Sequence, residues 1–144
     1  MEAVGESLAA ACARSGGRIY LQGELGAGKT TLVRGLLHAL GHRGPVKSPT
    51  FTLVEPYELG GLFIYHFDLY RVTALEELEA IGLRDYFEPG NLCLVEWPER
   101  GAGLLPGADL GIEIIYALPG RQVSLKAETA VGTAMLMSLC NIPS

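Results

Sequence analysis

The amino-acid sequence predicts an α/β domain of three layers, with a mixed, mainly parallel sheet and two antiparallel hairpins. A β-favouring run at residues 18–22 is followed by a glycine-rich loop and then by apolar residues at helical spacing over residues 31–40. Residues 92–95 are continuously apolar, as expected of a strand that is covered on both faces of a parallel sheet. Strand-like and helix-like segments alternate along the remaining chain, which is typical of a layered α/β protein.

Size and composition fit a single domain over residues 1–144, in which 49 % of the residues are apolar and 19 % are charged. The net charge of −5 argues against nucleic-acid binding driven by a strong overall positive field. The three cysteines show neither metal-ligand nor disulfide spacing. The sequence has no signal-peptide pattern and no apolar run of about 20 residues. We therefore expect a cytoplasmic protein with reduced thiols and no membrane segment.

The first elements are bounded by glycine and proline. Residues 4–13 predict a short helix that stops before Gly16. The helix at residues 31–40 ends at Gly41, a normal glycine stop. Residues 44–50 contain two prolines and a glycine and are predicted to form a loop.

The rest of the chain predicts two hairpins, one buried strand and two helices. The β-rich segments at residues 51–57 and 62–68 flank two adjacent glycines, which favours an antiparallel connection. The remaining predicted elements are a short helix, the buried strand, the second hairpin and a last helix, at residues 75–81, 91–96, 110–116 with 122–127, and 130–139.

Residues 23–30 match the pattern G-x-x-x-x-G-K-[ST] in full. Glycines let backbone N–H groups approach phosphate oxygens, Lys29 supplies a positive charge for the β- and γ-phosphates, and the hydroxyl of Thr30 is placed to ligate Mg²⁺. The alternative is a glycine-rich turn without a ligand. The order of strand, loop and helix favours a nucleotide-phosphate site in a P-loop NTPase-like domain. The predicted binding residues are Gly23, Glu24, Leu25, Gly26, Ala27, Gly28, Lys29, Thr30 and Thr31.

Two acidic residues at predicted strand ends are candidates for metal binding and hydrolysis. Glu96 ends a buried strand, where P-loop proteins carry their metal-linked acid; otherwise it is a strand-end residue entering solvent. Asp68 either holds a Mg²⁺-bound water or positions the water that attacks the γ-phosphate, or it caps a turn. Thr50 lies where switch proteins place a threonine that senses Mg²⁺ and the γ-phosphate, or it belongs to an ordinary turn.

The aromatic and imidazole side chains carry weaker signals. Trp97, directly after Glu96, either stacks on a partner or on nearby protein, or it is a partly buried core residue. The histidines have no ligand spacing, so no metal role is predicted for His38, His42 or His66.

Several further segments make the sequence resemble one family closely. They include Ser-Pro-Thr at residues 48–50, His-Phe-Asp-Leu-Tyr-Arg at residues 66–71, and Val-Glu-Trp-Pro-Glu at residues 95–99. Together with the phosphate loop and residues 76–87 they are similar to the bacterial TsaE family, formerly YjeE, the small ATPase of the machinery that makes threonylcarbamoyladenosine in tRNA. The similarity covers nearly the whole chain. Only the phosphate loop is shared with many other families.

The resemblance implies a partner-stimulated ATPase with ATP and Mg²⁺ as its cofactors. Lys29 and Thr30 match the family's phosphate and Mg²⁺ residues, and Thr50 matches its switch-like threonine. Asp68 matches the acid important for hydrolysis, and Glu96 matches the acid that completes the metal site. The expected catalytic residues are thus Lys29, Asp68 and Glu96, and the expected metal ligands are Thr30, Asp68 and Glu96.

The resemblance also implies partners and further contacts. The family acts with a TsaD-like transferase and a TsaB-like companion, so tRNA is an indirect partner, and ATP hydrolysis resets that complex between turnovers. Arg121 matches an arginine that reaches the nucleotide, and Trp97 matches the tryptophan next to the metal-site acid. Family members usually carry a short strand before the first helix, and we expect that strand to be missing here.

Two other functions remain open for this sequence. A nucleotide-dependent regulatory binding module with negligible turnover would need the same phosphate loop. A small P-loop kinase would need an arginine-rich lid and an acceptor site, for which 144 residues leave little room. A GTPase is disfavoured because the sequence has no N-K-x-D motif.

Overall fold

The computed structural model describes residues 1–140, which form four helices, six strands and two 3₁₀ helices. In chain order the helices and strands are α1 (Glu2–Ser15), β1 (Gly17–Gln22), α2 (Lys29–Ala39), β2 (Val54–Leu59), β3 (Leu62–Asp68), α3 (Leu75–Ala80), β4 (Leu92–Glu96), β5 (Leu110–Ala117), β6 (Gly120–Ala127) and α4 (Ala130–Cys140). The 3₁₀ helices are Leu83–Phe87 and Pro98–Gly101.

All six strands belong to one sheet with the order β2-β3-β4-β1-β5-β6. The four inner strands are parallel, and each outer strand is the antiparallel partner of its hairpin neighbour. This confirms the predicted mixed, mainly parallel sheet with two hairpins. In the register of the inner strands, Glu96 of β4 pairs with Leu21 of β1 on one side and with Asp68 of β3 on the other. The carboxyl ends of three strands therefore meet at one edge of the sheet.

Two apolar cores on opposite faces of the sheet give the three layers. Helices α1, α2 and α4 cover one face, and its core includes Leu8, Ile19, Leu36, Leu94 and Met135. Helix α3 and the first 3₁₀ helix cover the other face, and its core includes Phe67, Leu78, Leu83, Phe87 and Val95. Every residue of β4 is buried because both faces of this central strand are covered, as its apolar sequence predicts.

Two glycines allow α1 to lie directly against α2. A Cβ atom on Gly35 would come within 2.2 Å of the backbone oxygen of Glu2, and one on Gly5 would come within 2.0 Å of the backbone oxygen of Leu32. No side chain fits at either position, so the two helix backbones are in contact. Because α2 begins directly after the glycine loop, this contact fixes the helix that carries the loop.

The prediction of a strand over residues 51–57 is wrong at its start, since β2 begins at Val54. The chain first makes a turn in which the N–H of Leu53 donates to the backbone oxygen of Pro49 at 2.8 Å, and Leu53 has a φ of 70°. Such a left-handed residue ends any extended run. Pro56 is tolerated inside β2 because β2 is an edge strand.

The two 3₁₀ helices have no counterpart among the predicted elements. Each is at most five residues long, so neither leaves a periodic pattern in the sequence. The second one follows Trp97, whose φ of 60° turns the chain sharply at the end of β4. Among residues 1–140, no helix is both long and apolar enough to cross a bilayer.

Candidate functional site

Polar side chains replace apolar ones at the carboxyl ends of β3 and β4, on the face that packs against α2. Alternate residues of a strand share a face. On this face Ile64 is followed by His66 and Asp68 on β3, whereas Leu94 is followed by Glu96 on β4. All three polar side chains are buried, with exposures of 0 %, 4 % and 3 %. They therefore form a polar end to an otherwise apolar layer, directly beside the glycine loop.

The glycine loop connects β1 to α2 with a backbone that needs glycine at three positions, the first being Gly23, where a Cβ atom would lie 2.5 Å from the backbone oxygen of Ile114. Gly26 and Gly28 have φ angles of 77° and 117°, which a residue with a side chain rarely adopts. Helix α2 begins at Lys29, so its first N–H groups face the loop without partners in the helix. This arrangement is a positive backbone cradle for an anion at a helix N-terminus.

The amino group of Lys29 contacts the backbone of the same loop. Its Nζ donates to the backbone oxygen of Gly23 at 2.5 Å and to that of Glu24 at 3.0 Å. It also lies 4.4 Å from the centre of the Trp97 ring, and the residue as a whole is 4 % exposed. Burial lowers the pKa of the Lys29 amino group, and the carboxylates of Glu96 and Asp68 oppose that shift.

The hydroxyl of Thr30 is in direct contact with Glu96. The Oγ1 of Thr30 is 3.1 Å from Oε1 and 3.0 Å from Oε2 of the Glu96 carboxylate. On its other side, Oε2 lies 2.6 Å from the Nε2 of His66. The carboxylate is thus held between the start of α2 and the neighbouring strand.

The carboxylate of Asp68 anchors the loop that carries Thr50. Its Oδ2 accepts hydrogen bonds from the hydroxyl of Ser48 and, at 3.1 Å, from the hydroxyl of Thr50. Its Oδ1 accepts the backbone N–H of Tyr70 at 3.0 Å. Asp68 therefore caps the turn after β3, as one of its two predicted alternatives states, and it also contacts Thr50.

These groups share one cavity of about 220 Å³. Its walls come from the glycine loop, the start of α2, the loop before β2 and the ends of β3 and β4. The lining residues are Leu25, Gly26, Gly28, Lys29, Thr30, Thr31, Ser48, Thr50, Asp68, Glu96 and Trp97. A single cavity thus contains one ammonium, three hydroxyl-bearing threonines and two carboxylates.

The oxygen donors of this cavity fit Mg²⁺ better than a transition metal. Thr30 and Glu96 present a hydroxyl and a carboxylate in mutual contact, which are hard ligands. Within residues 1–140 there is no group of three or more His, Cys, Asp or Glu side chains that could hold a metal ion by itself. Mg²⁺ commonly takes one or two protein oxygens and completes its shell with water and substrate phosphates. The donor set therefore suits Mg²⁺ that arrives with a polyphosphate.

Arg121, at the start of β6, also reaches the glycine loop. Its NH2 group is 3.3 Å from the backbone oxygen of Gly26, and its guanidinium lies 4.7 Å from the centre of the Tyr116 ring. The hydroxyl of Tyr116 donates to the backbone oxygen of Leu25 at 3.1 Å. The second hairpin therefore contacts the glycine loop through Arg121 and Tyr116. The contact of Tyr116 could not be predicted from any local pattern in the sequence.

Two further side chains of this site carry no predicted role in the sequence. Ser48 contacts Asp68, and His66 contacts Glu96. An available signal for His66 was its spacing of two residues from Asp68, which places both on one face of a strand. Trp97 is half-buried and packs against Lys29 and Tyr70, which agrees with the prediction of a partly buried residue.

The sheet order, the strand–loop–helix unit and the acid at the end of the adjacent central strand define an α/β protein with a P-loop NTPase-like fold. Within that class, residues 1–123 match the family model described as threonylcarbamoyl adenosine biosynthesis protein TsaE. The chain belongs to the TsaE family, which takes part in the biosynthesis of threonylcarbamoyladenosine in tRNA.

Individual relatives and one solved structure agree with this assignment. The chain is 52 % identical to the Haemophilus influenzae tRNA threonylcarbamoyladenosine biosynthesis protein TsaE over 123 residues, 85 % of this chain and 78 % of that protein. It is 44 % identical to the Bacillus subtilis protein of the same name over 107 residues, 74 % of this chain and 66 % of that protein. The crystal structure of Bacillus subtilis YdiB superimposes with a TM-score of 0.76 at 32 % identity, covering 96 % of this chain and 86 % of that one.

Proposed function

We propose that this chain is a Mg²⁺-dependent, ATP-hydrolysing subunit in the threonylcarbamoyladenosine modification of tRNA. It acts with a TsaD-like transferase and a TsaB-like companion and resets that complex between turnovers. The observation that carries the proposal is the shared cavity, in which Lys29, Thr30, Asp68 and Glu96 lie together beside the glycine loop.

The loop and Lys29 are suited to hold the triphosphate. Lys29 now donates to two backbone oxygens of its own loop, and phosphate oxygens are stronger acceptors for an ammonium. We infer that Lys29 exchanges one of these contacts for a contact with the β- and γ-phosphates. The N–H groups at the start of α2 would then donate to phosphate oxygens of the same nucleotide.

Thr30 and Glu96 are the proposed Mg²⁺ residues. When bound, Mg²⁺ would stabilise the charge that develops on the phosphate oxygens. The hydroxyl of Thr30 already contacts Glu96, so a small rotation of its side chain makes one oxygen available for the metal. From its buried position at the end of β4, the carboxylate of Glu96 would then offset part of the positive charge of Mg²⁺.

Asp68 is the residue that we propose to orient either the attacking water or a Mg²⁺-bound water. Its two oxygens are already engaged by Ser48, Thr50 and the N–H of Tyr70. Oδ2 therefore has to give up a loop contact before it can hold a water for attack on the γ-phosphate. We expect the isolated chain to hydrolyse ATP slowly, and we expect the partner proteins to accelerate the reaction by moving the loop that carries Thr50.

The test is the rate of phosphate release from ATP and Mg²⁺, measured for the chain alone and with the transferase pair. We expect a slow rate alone and a faster rate with the pair, because the partners would reposition the loop that carries Thr50. Asp68→Asn and Glu96→Gln should each lower the stimulated rate about 100-fold or more, because Asp68 would orient the water and Glu96 would help to hold Mg²⁺. Glu79→Gln, at an exposed position on α3, is the matched control and should behave like the unmodified protein.

Each other outcome identifies a different function. Equal rates with and without the pair would indicate an independent ATPase. Tight ATP binding without phosphate release under either condition would indicate a regulatory binding module. Consumption of ATP with transfer of phosphate to another molecule instead of water would indicate a kinase.

A further inference from the structure

His66 is a fully buried polar residue with one polar contact. It lies on β3, is 0 % exposed, and its Nε2 is 2.6 Å from Oε2 of Glu96. Its other ring nitrogen, Nδ1, has no hydrogen-bond partner among residues 1–140. A carboxylate oxygen is only an acceptor, so the hydrogen between the two side chains belongs to Nε2. Among residues 1–140, the hydrogen bond of the His66 side chain thus goes to Glu96 alone.

An apolar residue would be expected at this position on packing grounds alone. In the sheet register His66 pairs with the exposed Glu55 of β2 on one side and with Leu94 of β4 on the other, and its buried neighbours on the same face include Leu94 and Ile64. Burying an imidazole among such neighbours costs free energy that a leucine or isoleucine would not cost. His66 lies at a position on this face from which its Nε2 reaches the Glu96 carboxylate.

The contact with His66 determines how the Glu96 carboxylate is oriented. Oε2 is contacted by both Thr30 and His66, whereas Oε1 is contacted by Thr30 alone within the described part of the chain. If the hydroxyl of Thr30 turns to a metal, His66 is the remaining side chain that holds the carboxylate. Without it, the carboxylate of Glu96 would be free to rotate about its last bond.

We propose that His66 is a positioning residue that holds Glu96 in the orientation needed for Mg²⁺, by donating Nε2–H to Oε2. This inference rests on the proposed function, because it concerns the metal of the same site. His66 does not contact the nucleotide or the metal in this scheme. Loss of a hydrogen bond that orients a metal-site residue typically costs 10- to 100-fold in metal affinity, and we expect an effect of about that size.

Two amide substitutions test the direction of the contact. Glutamine places its amide nitrogen near the position of Nε2, so His66→Gln keeps a donor for Glu96. Asparagine places its amide nitrogen near the position of Nδ1, on the side without a partner, so His66→Asn loses that donor. The two variants have the same chemistry and differ mainly in reach. His42→Gln is the control, since the Nε2 of His42 is also buried without a partner and lies outside the site.

The measurement is equilibrium binding of a fluorescent ATP analogue as a function of Mg²⁺ concentration. For each variant, the quantity compared is the Mg²⁺ concentration that gives half of the Mg²⁺-induced increase in affinity for the ATP analogue. For His66→Gln and His42→Gln this concentration should lie within about 3-fold of that of the unmodified protein. His66→Asn should need about 10- to 100-fold more, with binding in the absence of Mg²⁺ unchanged. An unchanged Mg²⁺ requirement in His66→Asn would overturn the inference.

A second measurement on the unmodified protein covers the case in which His66→Asn does not fold. Imidazole ¹⁵N NMR, with His38→Gln and His42→Gln for assignment, should show the Nε2 signal of His66 moving when Mg²⁺ is added to the ADP-saturated protein. A signal that stays in place would also overturn the inference. Failure of the unmodified protein to bind ATP at any Mg²⁺ concentration would instead refute the proposed function.

Discussion

Replacement of Lys29 by alanine separates nucleotide binding from folding in this protein. The amino group of Lys29 is held by the backbone oxygens of Gly23 and Glu24 and lies against the ring of Trp97. Lys29→Ala removes the charge but leaves the glycines and the start of α2 in place. The variant should therefore remain folded, with a loss of about 1 kcal/mol from the contact with Trp97.

The effect on ATP binding should be far larger than the effect on folding. An ammonium and a phosphate oxygen about 4 Å apart interact by about 4 kcal/mol at an effective dielectric constant near 20, the value suited to a partly buried pair. Since Lys29 is only 4 % exposed, solvent screens this interaction weakly. A loss of about 4 kcal/mol weakens binding about 1,000-fold.

Thermal unfolding with and without ATP and Mg²⁺ measures this difference. At an ATP concentration 100 times the dissociation constant, the unmodified protein should gain about 2.7 kcal/mol, and its Tm should rise by roughly 10 °C. At the same concentration Lys29→Ala should gain less than about 0.1 kcal/mol, so its Tm should not move measurably.

The matched control is Lys126→Ala on β6, where the side chain is 79 % exposed and 3.5 Å from Glu128. Such surface pairs contribute about 0–1 kcal/mol, so this variant should show the full ATP-induced rise. A rise of the same size in Lys29→Ala would refute the assignment of the phosphate site.

Two more predictions concern the fold around the site. Gly35→Ala should lower the free energy of unfolding by about 1–3 kcal/mol in chemical denaturation, because its Cβ atom would lie 2.2 Å from the backbone oxygen of Glu2. Helix propensity alone predicts stabilisation by up to about 1 kcal/mol, so a more stable variant would contradict the close contact of α1 and α2. Burial raises the pKa of the Cys12 and Cys93 thiols to about 12. Alkylation at pH 8, followed by peptide mass mapping, should therefore find both thiols unmodified in the native protein and modified in denaturant. Rapid labelling of either thiol in the native protein would contradict its burial.

Local patterns in the sequence predicted most of the elements. Glycine spacing, a following helix and a continuous apolar run each constrain only a few neighbouring residues, and each of these segments has the predicted type. The start of β2 was the main error, because a β-favouring composition at residues 51–53 does not show that Leu53 adopts a left-handed backbone. That conformation depends on a turn closed by Pro49 and on the pairing of β2 with β3.

By itself, the sequence determined the fold class, the glycine loop and the acids that end two strands, since these follow from residue type and short-range spacing. Only the tertiary structure decided which side chains meet: Ser48 contacts Asp68 across 20 residues, His66 contacts Glu96 across 30, and Arg121 contacts Gly26 across 95. Such contacts depend on the order and register of the strands, which are set by the packing of both cores around the whole sheet. No short stretch of sequence contains that information, because the free energy that fixes it comes from residues far apart in the chain.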